Sequence, residues 1–81
     1  MTLIKTLGLN QTIKQLEKLI VGEEVMVASS EIEKELEDYI GQIRESGFDI
    51  GKDKKERFGY KIMPSVDDRK RLVLYRRPTL K

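Results

Sequence analysis

The fold prediction rests on two short stretches, GFDI at residues 47–50 and FGYKI at residues 58–62. In both, apolar side chains alternate with polar residues or glycine, which is the two-residue period of a strand with one buried face. The segment between them, residues 51–57, begins with glycine and carries four basic side chains. Together these features predict a β-hairpin with a charged tip.

The residues before these stretches have the longer period that helices require. A first helix is predicted from Asn10, whose side chain is a good N-cap, to about Val21. Ser30 and Glu33 have the spacing of a capping box, so a second helix is predicted to begin there and to end at Gly47. Two helices therefore precede the predicted hairpin.

Two further strands complete the predicted architecture. Residues 25–28 form an apolar run too short for a helix, and residues 71–75 form another after a predicted turn at residues 64–68. The order helix, strand, helix, hairpin, strand indicates a small α+β domain. This domain is expected to occupy residues 1–81, because a chain of this length has no room for a second core.

The small size also bears on association. A chain of this length buries only roughly 60% of its unfolded surface, so a partner or a homodimer would add stability. Residues 1–9 fit two interpretations, a strand or a dimer contact made by Leu3, Ile4 and Leu7. The sequence leaves both interpretations open.

The composition excludes several kinds of chemistry. The chain has no cysteine, which excludes disulfides and cysteine nucleophiles, and no histidine, which removes the commonest general base and zinc ligand. A non-catalytic module without metal or cofactor is therefore predicted. Because the sequence has neither an export signal nor a run of 18 apolar residues, the predicted location is the cytoplasm, without membrane contact.

Residues 40–50 read IGQIRESGFDI and are followed by GYKI at residues 59–62. This pattern resembles the end of a winged helix-turn-helix domain, of the kind found in biotin-repressor-like regulators and many phage-encoded proteins. The resemblance is strongest over residues 26–63 and implies a recognition helix, a wing, DNA binding and transcription regulation in a prokaryote or phage. The 17 residues from 30 to 46 are too few for the family's two helices and turn, which implies a shortened helix-turn-helix.

The charge is distributed unevenly along the chain. Residues 1–40 hold 4 basic and 8 acidic side chains, a net charge of −4, whereas residues 41–81 hold 12 basic and 6 acidic ones, a net charge of +6. The two halves add up to the total of +2. Such asymmetry indicates a charged interaction surface, and a mixed solvated surface is an equally good explanation.

The basic half provides the leading functional hypothesis. Basic side chains on the wing that the resemblance implies, together with the C-terminal cluster of arginines and lysines, would bind the phosphates of double-stranded DNA. The second helix would contribute little reading of base edges. The predicted DNA-contacting residues are Gln42, Arg44, Lys52, Lys54, Lys55, Arg57, Arg69, Lys70, Arg71, Arg76 and Arg77. Solubilising charge on an exposed turn and edge strand explains the same residues without a ligand.

The start of the second helix supports an alternative hypothesis. Residues 31–38 contain five acids and one base, and phosphates repel carboxylates. The acidic face would instead bind a basic protein partner, which would make the chain an inhibitor or adaptor. It consists of Glu31, Glu33, Glu35, Glu37 and Asp38. Acids in the first turn of a helix also stabilise the helix dipole, which requires no partner.

Three aromatic residues are candidates for stacking on bases. Phe58 and Tyr60 lie at alternating positions of a predicted strand, so core packing explains them better than stacking does. Tyr39 lies at the edge of the apolar stripe of the second helix and is predicted to be exposed.

Overall fold

The structure is a computed structural model that describes residues 4–65 and 67–78, and over these residues the chain forms two helices and a four-stranded antiparallel sheet. In chain order the elements are β1 (Lys5–Thr6), α1 (Leu9–Lys18), β2 (Glu24–Ser30), α2 (Glu33–Glu45), β3 (Phe58–Pro64) and β4 (Lys70–Arg76). The strands follow the spatial order β1-β2-β4-β3. The predicted α+β class and the strands predicted at residues 25–28 and 71–75 are confirmed.

The last strand, β4, lies between β2 and β3 and pairs with both. β3 and β4 are paired along their whole length, so these two strands form a hairpin. The Ser65 amide donates a hydrogen bond of 3.1 Å to the Arg69 carbonyl at the end where the two strands are connected. The region predicted as a turn, residues 64–68, therefore connects the hairpin strands.

The helices cover one face of the sheet and enclose the core. Leu72 and Leu74 of β4 are fully buried, together with Leu16 of α1 and with Leu36 and Ile43 of α2. Complete burial of such a side chain contributes roughly 1.5–3 kcal/mol to folding. The two leucines of β4 thus hold the sheet against both helices.

The opposite face of the sheet, here called the open face, is covered by neither α1 nor α2. Val73 and Tyr75 of β4 alternate with the buried leucines and therefore lie on this face, where the strand register places Met26 and Lys61 on either side of Val73. Lys61 forms a salt bridge of 2.6 Å with Glu24, which reaches across β4. Met26 is 50% exposed, so the open face presents apolar as well as charged atoms to solvent.

The hairpin predicted between residues 47–50 and 58–62 is wrong. The first of these stretches forms no strand, and Ile50 meets Phe58 through an isolated bridge of parallel direction. Segments that run parallel cannot be joined by a tight hairpin turn. Residues 51–57 are therefore a loop between α2 and β3, here called the charged loop, and the apolar period around Ile50 reflects its complete burial in the core.

One uninterrupted helix, α2, occupies the segment that the resemblance assigns to a shortened helix-turn-helix. It ends before Gly47, whose φ of 100° stops the helix as predicted. The predicted capping box at its start is wrong. Because β2 continues through Ser30, the hydroxyl of this residue lies too early to cap the helix; it accepts a hydrogen bond from the Ile32 amide at 3.0 Å and donates one to Glu35 at 2.6 Å.

The first helix, α1, differs from the prediction at both ends. It begins directly after Gly8, whose carbonyl accepts the Thr12 amide at 3.0 Å, so the predicted N-cap at Asn10 is wrong. It ends at Lys18 rather than near Val21, because Val21 leaves the helix to form an isolated bridge beside β4.

The strand interpretation of the N-terminal segment is confirmed at residues 5 and 6. Lys5 and Thr6 form the edge strand β1, opposite Ser29 and Ala28 of β2. Leu3, which both interpretations include, lies outside the described residues. A homodimer stays a prediction.

The prediction that Tyr39 is exposed is wrong. Tyr39 is 4% exposed, and its hydroxyl shares a hydrogen bond of 2.7 Å with the hydroxyl of Thr12, which is completely buried. The bond joins α1 to α2. Tyr39 can be buried at the edge of the apolar stripe of α2 because Thr12 of α1 provides a hydrogen-bond partner for its hydroxyl.

Replacing Tyr39 by phenylalanine is expected to lower the free energy of unfolding by about 1–2 kcal/mol, because the buried Thr12 hydroxyl loses its partner. Urea unfolding followed by circular dichroism measures the loss. Tyr60→Phe is the matched control, since the Tyr60 hydroxyl has no hydrogen bond among the described residues. Equal losses in the two variants would show that the buried bond contributes nothing.

Candidate nucleic-acid interface

The charged loop is held in shape from within. The Asp53 carboxylate accepts the Lys55 amide at 2.9 Å, and the Glu56 carboxylate accepts the Asp53 amide at 3.3 Å. Glu56 also lies directly over Gly51, where a methyl group would collide with its carboxylate. These contacts give the loop a defined backbone, which turns its basic side chains outward on a fixed support.

Arg77 attaches the charged loop to the end of β4. Its guanidinium donates to three backbone carbonyls, those of Asp53 at 2.6 Å, Glu56 at 3.4 Å and Phe58 at 3.3 Å. Its backbone amide donates to the Arg57 carbonyl at 2.9 Å. Arg77 is among the predicted DNA contacts, and in this structure its guanidinium is a clamp for the loop.

Two more of the predicted DNA-contacting arginines bind backbone carbonyls. Arg44 donates from Nε to the Ile50 carbonyl at 2.9 Å, and Arg76 donates to the Leu19 carbonyl at 3.4 Å. The guanidinium carbon of Arg76 also lies 5.9 Å from the centre of the Phe58 ring. Both arginines have donors that are already partly used, and the Arg44 guanidinium also lies 4.0 Å from the Glu56 carboxylate.

Three basic side chains of the charged loop remain available. Within residues 4–65 and 67–78, the side chains of Lys54, Lys55 and Arg57 have no hydrogen-bond or ion-pair partner. They surround a recess of about 340 Å³, here called the basic recess. It is lined by Lys54, Lys55, Glu56, Arg57, Arg76, Arg77 and Pro78. The fold thus gathers five members of the predicted set at one place, and these are Lys54, Lys55, Arg57, Arg76 and Arg77.

Three more predicted basic residues lie at the far end of β4, and these are Arg69, Lys70 and Arg71. Lys70 begins this strand and Arg76 ends it, so the two are roughly 20 Å apart at the usual rise of about 3.3 Å per residue. Arg69 is attached to β2, where it donates to the hydroxyl of Ser29 at 3.3 Å and to its carbonyl at 2.8 Å. Most of the set predicted from sequence is therefore divided between two ends of the sheet, while Gln42 and Arg44 lie on α2.

Three further members of the predicted set take different positions. Arg71 is exposed and lies with Lys70 at the far end, on the open face. Lys52 lies 5.7 Å from the centre of the Tyr60 ring, a cation–π distance, at the start of the charged loop. Gln42 is exposed in the last turn of α2 and takes no part in lining the basic recess.

The acidic face lies at the far end as well. Ser30, which leads into α2, pairs with Lys70, so the first turns of α2 adjoin the basic residues that begin β4. Glu35 is half-buried and accepts the Ser30 hydroxyl. The other four acids are exposed and, within the described part of the chain, have no basic nitrogen within 4 Å; they are Glu31, Glu33, Glu37 and Asp38.

The predicted core packing of Phe58 and Tyr60 is confirmed. Phe58 is buried in the core, and Tyr60 is half-buried under Lys52. Tyr75 is half-buried on the open face, with its ring against Gly59, where a methyl group would collide with the ring. The alternation of Tyr75 with Leu72 and Leu74 is the sequence signal that places it on the face away from the core.

Comparison of the chain with protein-family models, with curated proteins and with solved structures finds no match. Over the part of the chain that is described, no group of three or more acidic side chains is arranged to hold a metal ion. Over the same part, neither helix has the length and apolar character needed to cross a membrane.

Proposed function

We propose that this chain is a small non-catalytic DNA-binding regulatory protein that contacts the phosphate backbone through the basic recess. The observation that carries the proposal is the convergence of Lys54, Lys55 and Arg57, without partners among the described residues, with the charges of Arg76 and Arg77. The charged loop has a net charge of +2, since it holds four bases and two acids, and the two arginines raise this to +4. Phosphates are the abundant ligands that such a site attracts.

The winged-helix assignment is part of the proposal. It is supported by the succession of strand β2, helix α2 and hairpin β3–β4, which follows the order that the resemblance implies. In this proposal the hairpin β3–β4 serves as the wing, instead of the hairpin that the resemblance implies at residues 47–62. We place the phosphate contact at the basic recess rather than at the hairpin tip, because Glu31 and Glu33 are exposed near that tip and would repel phosphates.

The test is fluorescence anisotropy with a labelled DNA duplex across a salt series. Three phosphate contacts predict that log K falls with log salt with a slope of about −3. Changing Lys54, Lys55 and Arg57 together to alanine is expected to remove most of this slope and to weaken binding at low salt about a hundredfold, at roughly 1 kcal/mol per contact.

The matched control changes Lys5, Lys14 and Lys34 to alanine, which removes the same charge from exposed positions outside the basic recess. This control is expected to keep the slope of the wild type. If wild-type protein does not bind DNA at low salt, the proposed function is wrong. If both triple variants lose affinity equally, the basic recess is not the contact.

A second candidate function uses the acidic face. Its four exposed acids have no basic partner among the described residues, which favours a basic protein as ligand. The charge reversal E33K/E37K/D38K tests this candidate and leaves Glu35, which bonds to Ser30, in place. Loss of a protein captured by the wild type would support the adaptor, whereas tighter DNA binding with unchanged capture would support the proposal above.

A further inference from the structure

A recess beside the basic one exposes the ring of Tyr75. This recess, of about 290 Å³, is lined by Lys54, Tyr75, Arg77 and Pro78. The ring cannot sink further into the sheet, because its outer end already lies on Gly59. Arg77 lies 5.6 Å from the ring centre while it holds the charged loop, so ring and loop are fixed relative to each other.

A second neighbouring recess, of about 360 Å³, exposes Phe48 on the helix side of the molecule. Phe48 is half-buried and packs edge-on against Phe58, with ring centres 5.9 Å apart. Glu17 and Asp49 also line this recess. Their carboxylates repel phosphate, so an apolar or hydrogen-bond-donating group fits here better than a nucleic-acid backbone does.

The three recesses adjoin one another in a fixed order. The basic recess shares Lys54, Arg77 and Pro78 with the recess at Tyr75, and it shares Arg57 and Arg76 with the recess at Phe48. The side chains that line them therefore form a continuous band around one end of the sheet. Along this band an aromatic surface is followed by a cationic surface and then by a second aromatic surface.

We infer that this band binds unpaired nucleotides of a DNA strand, with phosphates on Lys54, Lys55 and Arg57 and a base on each of Tyr75 and Phe48. The inference rests on the proposed function and narrows its substrate to DNA with single-stranded segments. In a duplex the bases stack on each other and only the backbone would reach the cations. Aromatic platforms beside a basic groove recognise single strands, because every base has a face that stacks.

The experiment compares three labelled ligands on wild-type protein by fluorescence anisotropy: a ten-nucleotide thymidine strand, a ten-base-pair duplex, and a ten-residue abasic strand that keeps the phosphates. The thymidine strand is expected to bind about tenfold more tightly than either of the others, as the loss of one or two stacked bases predicts. Equal affinity for the thymidine and abasic strands would overturn the inference, although the proposed DNA binding would still stand. No binding of any ligand would overturn both.

Two substitutions locate the contact. Phe48→Leu and Tyr75→Leu keep apolar bulk but remove the ring. Each is therefore expected to lower the affinity for the thymidine strand about fivefold to tenfold and to leave the affinity for the abasic strand unchanged. Tyr60→Leu, on the helix side of β3, is the control and is expected to leave both affinities unchanged. Gly59→Ala is a second test, because the added methyl group displaces the Tyr75 ring without removing it. It is expected to lower the affinity for the thymidine strand and to leave the affinity for the abasic strand unchanged. If neither Phe48→Leu nor Tyr75→Leu weakens binding of the thymidine strand more than binding of the abasic strand, the band is not the binding site.

Discussion

Replacing Leu74 by alanine is expected to lower the free energy of unfolding by about 3 kcal/mol, the usual cost of a buried leucine that leaves a cavity. Leu74 is fully buried in the central strand, between Val25 of β2 and Tyr60 of β3. A domain of this size has a total stability of roughly 4–12 kcal/mol, so the loss is a large share of it. Urea unfolding by circular dichroism measures the change as a lower midpoint with an unchanged slope.

Ile20→Ala is the control for this substitution. Ile20 is 61% exposed, so the same kind of truncation is expected to cost less than about 0.5 kcal/mol. A loss at Leu74 no larger than the loss at Ile20 would mean that β4 does not hold the sheet to the helices.

Replacing Arg77 by alanine is expected to release the charged loop. The substitution removes donors from the carbonyls of Asp53, Glu56 and Phe58, which corresponds to about 1–2 kcal/mol for a half-buried charged donor. Because Lys54 and Lys55 would then lie on a mobile segment, trypsin is expected to cut after them about tenfold faster. Limited proteolysis followed by mass spectrometry measures the rate at these sites.

Arg71→Ala removes the same charge from an exposed position at the far end of β4 and is expected to leave the cleavage rate unchanged. The two variants differ in a second property as well. If DNA binding depends on a preformed loop, Arg77→Ala weakens it more than Arg71→Ala does at equal ionic strength. Equal cleavage in both variants would contradict the clamp.

Sequence patterns predicted correctly those features of the fold that depend on residues close together in the chain. The helical period predicts a buried stripe of Ile32, Leu36, Ile40 and Ile43, and the last three are buried. Ile32 is 46% exposed because it precedes the first turn of α2. Gly47 follows from the need to stop the helix. The strand period around Ile50 predicted burial correctly but could not give the partner or the direction of pairing. A period of two describes which side chains are buried, and a single anchored residue produces it as readily as a strand does.

The basic residues that line the candidate site could be named from the sequence, but their arrangement could not. Which arginines are used as clamps depends on carbonyls distant in sequence, as for Arg76 and Leu19. Tyr39 is buried because Thr12 of another helix meets its hydroxyl. Such contacts depend on how the helices and strands pack together. The residues on either side in the sequence do not reveal that packing.

The central position of β4 has a consequence for the order of folding. β2 and β3 do not touch each other in the sheet, and each depends on β4 as its neighbour. Ser30 of β2 therefore cannot pair until Lys70 of β4, forty positions later, has been synthesised. A nascent chain that has reached only Pro64 holds both helices and three strands without the strand that joins them. Completion of the core is thereby delayed until all five other elements have been synthesised.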